Sequence, residues 1–149
     1  MNSTPTGIAV GVSPTPAAWA EDEVARAAHE VIRAYAGCLG EFLESWEGAP
    51  DDIRESALIG VRYLRANPLA GPAAAHVSWM ATKLQQGWVH GLRKDEMAKT
   101  HPLLVKWDDL PAVQRAKDIL FVTVVRAMTS PGASSGVMSK AEVKEVPGD

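Results

Sequence analysis

Prolines and glycines cut this 149-residue chain at Ala49-Pro50, Asn67-Pro68, Gly71-Pro72, Gly87 and Leu110-Pro111, and between the cuts apolar residues recur every three or four positions. Proline fixes φ and has no N–H, so it opens and ends helices and rarely sits inside them. A spacing of three and four is that of one buried helix face. Such a chain can fold only as a few helices of moderate length packed side by side.

The first face runs through Val24, Ala28, Val31, Tyr35, Cys38 and Phe42. Thr15-Pro16 offers it an N-cap and a first-turn proline, Glu21, Asp22 and Glu23 suit a helix N-terminus, and Gly37 and Gly40 weaken its last turns. A second face, Ile53, Ala57, Leu58, Val61 and Leu64, stops before Pro68, because proline pushes Asn67 out of the helical region. The third starts at Gly71-Pro72 and carries Ala73, His76, Val77, Met80 and Leu84. Gly87 then takes the left-handed position past its end, which folds Trp88 back on the last turn. The fourth follows Leu110-Pro111 with Val113, Ala116, Leu120, Val124 and Ala127. The pattern predicts helices over residues 17–45, 51–66, 72–86 and 111–128, with short extended segments at Trp88-Val89-His90 and Leu103-Leu104-Val105 and a helical turn over Asp95 to Lys99. The fold class is mainly α, a compact single-domain bundle of about four helices with a small extended element. Residues 1–16 read as a flexible arm, 17–128 as the domain and 129–149 as a disordered tail.

With 46% hydrophobic residues the chain can fill one core and is too short for two ordinary domains. A net charge of −3 argues against binding a nucleic-acid duplex, which takes a large positive surface. Cys38 is the only cysteine, so no intrachain disulfide forms and a reducing compartment is expected. The Ile8–Val12 run lacks the positive flank of a signal peptide, and nothing approaches the roughly 20 apolar residues of a membrane span. A cytoplasmic protein without membrane contact is the expectation, with homo-oligomerisation left open.

Recognition chemistry gathers between Trp79 and Trp107, where Trp79, Trp88 and Trp107 accompany His90 and His101 and the bases Arg93, Lys94, Lys99 and Lys106. Residues 93–106 carry a local charge of +2 while residues 41–55 carry −5, a contrast that suits a small anionic ligand. Tryptophan faces stack flat heterocycles at about 1–3 kcal/mol per base. Arginine can grip phosphate bidentately and lysine serves as a point charge. The expected ligand-binding residues are His76, Trp79, Trp88, His90, Arg93, Lys94, Lys99, His101 and Trp107. Each has a plainer role open to it: core packing for the tryptophans, turn formation for His101-Pro102, solvation for the lysines. A flat docking surface for a protein partner, using the same aromatic loop, is the alternative to a ligand pocket.

Enzyme motifs fail on inspection. His29-Glu30 opens like a zinc-protease helix, but Arg33 stands where the second histidine is needed. Gly132-Ala133-Ser134-Ser135-Gly136 fits a nucleophile elbow in spelling, without the strand and helix that strain the turn. No metal, no cofactor and no catalytic residue is expected.

His76, Trp79, Gly87-Trp88, Gly91, Lys94-Asp95, Lys99, His101-Pro102, Leu104-Val105, Leu110-Pro111 and Lys117-Asp118 together resemble the RyR domain. This small module is named for the repeats of ryanodine receptors and is found also in bacterial and phage proteins. The likeness continues upstream through Ala28-His29-Glu30, Arg33, Trp46-Glu47, Ala49-Pro50, Glu55-Ser56-Ala57, Gly60-Val61-Arg62 and Asn67-Pro68, so that it covers about residues 25–128. It implies a compact, mainly helical binding module without catalytic machinery, with a tryptophan pocket for adenine nucleotides and a part in nucleotide-derived signalling, including signals made from NAD. His90 departs from the family pattern, which commonly has tyrosine there, so a contact that needs a phenol is in doubt.

Overall fold

Four helices make up most of the structure, a computed structural model that describes residues 18–135. In chain order they are α1 (Glu21–Cys38), α2 (Asp51–Ala66), α3 (Pro72–Gln85) and α4 (Ala112–Thr129). The last three lie within one residue of the predicted spans, because proline or glycine fixes each start.

Helix α1 is shorter than predicted at both ends. Thr15 and Pro16 lie outside the described residues, and the N-cap is Ala20, in an extended conformation with its N–H donating to Glu23 Oε2 at 2.8 Å. At the other end Gly40 turns left-handed with φ 77°. The Glu41 N–H then reaches the Ala36 carbonyl at 2.9 Å and Gly40 N–H reaches Gly37 O at 3.1 Å, a glycine-terminated helix end. Phe42 therefore falls in the following loop, 79% exposed, instead of extending the buried face.

That loop is tied back to α1 by side chains. His29 Nε2 donates to Glu44 O at 2.8 Å, and Arg33 Nε to Leu43 O at 3.2 Å. Glu30 accepts the Trp46 N–H at 2.8 Å and Arg33 at 3.0 Å. The Trp46 N–H first, and Arg33 second, hold the Glu30 carboxyl below the usual carboxylate range.

The core lies between α1, α2 and α4. Val24, Ala25, Ala28, Val61, Leu64, Val122 and Val125 are buried together there. Full burial of a valine or leucine side chain stabilises by about 1.5–3 kcal/mol. The guanidinium of Arg126 adds a polar clamp: it donates to Leu64 O at 2.6 Å and to Asn67 O and Ala70 O at 2.7 Å each. These carbonyls belong to the end of α2 and the α2–α3 connection, so α4 fixes where α3 begins.

Helix α3 ends as the sequence requires. Gly87 has φ 88°, its N–H meets Leu84 O at 3.0 Å, and Trp88 N–H meets Lys83 O at 3.0 Å. Trp88 folds back and is 8% exposed. The chain then forms β1 (Val89–His90), which pairs in parallel with β2 (Thr100–His101) in the register Val89 to Thr100 and His90 to His101. The first strand lies where an extended segment was expected; the second precedes Leu103–Val105. Gly91 accounts for this, since a Cβ on it would stand 2.6 Å from Thr100 Cβ, and only a bare backbone allows the approach. Leu104 instead turns inward, 7% exposed. Between the strands Asp95 Oδ1 accepts the Met97 and Ala98 N–H groups at 2.9 Å each, so residues 96–99 form a side-chain-capped turn.

The expected arm, residues 1–16, lies outside the described residues, as does the expected tail from 136 on; of the tail's first residues Thr129 closes α4. Among the described residues no helix is long and apolar enough to cross a membrane.

Candidate ligand-binding site

Helix α3 meets α2 and α4 on one side and the β2 segment on the other, and a cavity of about 450 Å³ opens between them. Its wall along α3 is made by His76, Trp79 and Lys83. Steps of three and four residues keep these on one helix face. The facing wall comes from Asp52, Ser56 and Tyr63 of α2 and Gln114, Lys117, Asp118 and Phe121 of α4. Lys94 and His101 close the side next to the strands, and His29 and Leu43 the side next to the pinned loop.

The aromatic rings form a continuous bank. His76 stacks on Trp79 with centroids 5.6 Å apart, and His101 meets Trp79 edge-on at 5.0 Å. His76 Nε2 donates to Val105 O at 2.7 Å, and its ring lies 6.1 Å from Trp107, which supports it from behind. His101 Nδ1 accepts the Leu103 N–H at 3.1 Å, which leaves the neutral ring's proton on Nε2. Burial, followed by the charges of Lys94 and Lys83, lowers the His101 pKa from 6.5 to about 4. At neutral pH His101 therefore offers an aromatic face and a donor, and no charge.

Three lysines line the cavity, and they are paired unequally. Lys94 Nζ lies 3.4 Å from Asp52 Oδ2, and Lys117 Nζ 2.5 Å from Glu41 Oε2. Lys83 is 6% exposed, and among the described residues it makes no hydrogen bond and no ion pair. Its nearest partner is the Trp88 ring, with Nζ 5.1 Å from the centroid. No fully buried side-chain nitrogen or oxygen among the described residues lacks a partner, so this ammonium reaches water through the cavity. Burial lowers the Lys83 pKa, and the charge of Asp52 works against that shift. Across the cavity, burial raises the Asp118 pKa, while a hydrogen bond from Gln114 at 3.0 Å opposes the rise. Asp118 Oδ2 stands 3.8 Å from His76 Nδ1, beyond direct hydrogen-bond range.

Of the nine residues singled out from sequence, His76, Trp79, Lys94 and His101 line this cavity. The other five do not. Trp88 lies beneath Lys83, and Trp107 behind His76. His90 is exposed on β1, and Arg93 is exposed in the loop, where its carbonyl accepts the Thr100 hydroxyl at 2.9 Å. Lys99 has φ 52°, and its Nζ is spent on the Gln86 carbonyl at 2.8 Å, capping α3. Sequence reading did not select Lys83, although it lies four residues after Trp79 and seven after His76. Helical spacing would have placed it on their face. Asp52, Tyr63 and Phe121 have no such signal, because their helices approach α3 only in the folded chain.

Residues 66–133 match the family model of the RyR domain. That stretch is an RyR domain. The match begins at the last residue of α2 and takes in α3, the strand pair and α4. The upstream likeness, residues 25–65, lies outside it, yet α1 is the main packing partner of α4, and α2 supplies one wall of the cavity. The RyR domain here is thus completed by two helices its family model does not cover. No curated protein and no solved structure matched the chain.

Proposed function

We propose that this protein is a non-enzymatic module that binds a small nucleotide-derived molecule, an adenine nucleotide or an NAD-derived signal, as a sensor or a sequestering protein in bacterial or phage signalling. The observation that carries the reading is the concave 450 Å³ space with Trp79 and His101 rings on one wall and lysines at its rim. Ligand pockets fall in the range of about 300–1,000 Å³ and combine apolar faces with a few placed polar groups. Binding without chemistry fits the histidines: His76 is tied to Val105 O through Nε2, and His101 to the Leu103 N–H through Nδ1. The lone exposed Cys38 fits a reducing, cytoplasmic setting.

A thermal-shift screen of nucleotides, cyclic nucleotides and NAD-derived compounds tests the reading. A ligand at a hundred times its Kd stabilises by about 2.7 kcal/mol, and Trp79→Ala should abolish the shift. If no compound moves the melting temperature, the adaptor reading replaces this one. That second reading has its own support in Leu92 and Met97, 93% and 98% exposed on the aromatic loop.

A further inference from the structure

The cavity is electrically lopsided. Lys94 has Asp52 and Lys117 has Glu41, so among the described residues Lys83 is the one lysine lining the cavity that is paired with no carboxylate. The Lys83 side chain is largely buried and its ammonium meets water only at the cavity, so an anion bound there would be its one direct counterion. The surroundings limit how much negative charge can enter. Asp52, Glu55 and Glu96 all act on Lys83 from nearby, against Lys94 alone. A second negative charge on a ligand would meet these carboxylates without a free cation to answer it.

We propose that Lys83 is the anion anchor of this cavity and that its ligand is a flat heterocycle bearing a single negative charge. The assignment rests on the small-molecule reading above and narrows it. His76 and Lys83 stand seven residues apart on one face of α3, which separates their side chains by about 10 Å along the helix. The heterocycle lies along Trp79 with its anion at Lys83, and its polar edge reaches the opposite end, where Gln114 and Asp118 are hydrogen-bonded to each other and Asp118 faces His76. Singly charged phosphodiesters meet this description; phosphomonoesters and triphosphates carry charge the site does not balance.

Isothermal titration of the full chain with 3′,5′-cyclic AMP, 3′,5′-cyclic GMP, AMP, ATP and uncharged adenosine and guanosine tests the assignment. Cyclic AMP should bind ten-fold or more tightly than adenosine, AMP and ATP, or cyclic GMP ten-fold or more tightly than guanosine. Lys83→Met, which keeps the stem and removes the charge, should weaken that binding at least ten-fold, and its melting temperature should equal or exceed the wild type's. Lys83→Arg should retain part of the affinity. Equal binding of cyclic nucleotide and nucleoside, tighter binding of AMP or ATP, or an unchanged affinity in Lys83→Met overturns the anchor and leaves the nucleotide reading standing. Binding of none of the six compounds overturns the assignment, and the thermal-shift screen, which includes NAD-derived compounds, then decides the nucleotide reading.

Discussion

The α3 face and the loop from Gly91 to Lys99 compete for the role of binding surface, and they are built on opposite plans. The loop holds the most conspicuous charges, yet Arg93 is exposed, Lys99 is spent on capping α3, and Lys94, the one that lines the cavity, is paired with Asp52. The α3 face holds fewer charged groups, but His76 and Lys83 are buried and Trp79 is half-buried, and all three share one cavity. A charge gains value for recognition when water is kept from it and its geometry is fixed. Conspicuous composition marks where a chain is polar; burial beside a cavity marks where polarity is held ready.

The comparison breaks most easily at Trp88, which lies between the two regions. Trp88→Ala should cost about 3–5 kcal/mol, read from urea denaturation, because an 8% exposed tryptophan leaves a cavity under Lys83. A loss under about 1 kcal/mol would show that the loop, and not the tryptophan, holds the end of α3. Gly91→Ala forces a Cβ to 2.6 Å from Thr100 and should cost about 1–3 kcal/mol by the same measurement, since the strand pair must open.

A smaller effect separates the two regions by pH. His101 has a folded pKa of about 4 against 6.5 when unfolded, so between these values the unfolded chain binds more protons. Stability should therefore fall as pH drops from about 6.5 towards 4, by on the order of 1 kcal/mol once solvent screening of this partly exposed ring is allowed for. His101→Gln should flatten that part of a melting-temperature profile, and a profile of unchanged slope would assign the acid sensitivity elsewhere. Lys99→Ala removes the cap on Gln86 O and should cost up to about 1 kcal/mol, with ligand affinity intact. The smallest change is Arg93→Ala, expected within about 0.5 kcal/mol of wild type in stability and without effect on binding. Loss of binding in Arg93→Ala would move the site from the α3 face back to the loop.

Local chemistry made much of this architecture legible in advance. Pro50, Pro72 and Pro111 stand at or next to three helix starts, because proline suits a first turn. Gly87 ended α3 and turned Trp88 inward, because only a residue free to adopt positive φ allows both. The family likeness was also readable, because its residues lie in order along residues 66–133. The strand register was less accessible: Leu103–Val105 looks more extended than Thr100–His101, and the close approach at Gly91 decided otherwise.

The sequence by itself determined α2, α3 and α4, their ends and the aromatic stock of the RyR domain, since each depends on residues within a few positions of one another. Only the tertiary structure decided which charges meet. Asp52 reaches Lys94 across 42 residues and Glu41 reaches Lys117 across 76, and these two pairings are what leave Lys83 as the unpaired lysine of the cavity among the described residues. Coulomb attraction depends on distance in space, and the packing of α1, α2 and α4 sets that distance.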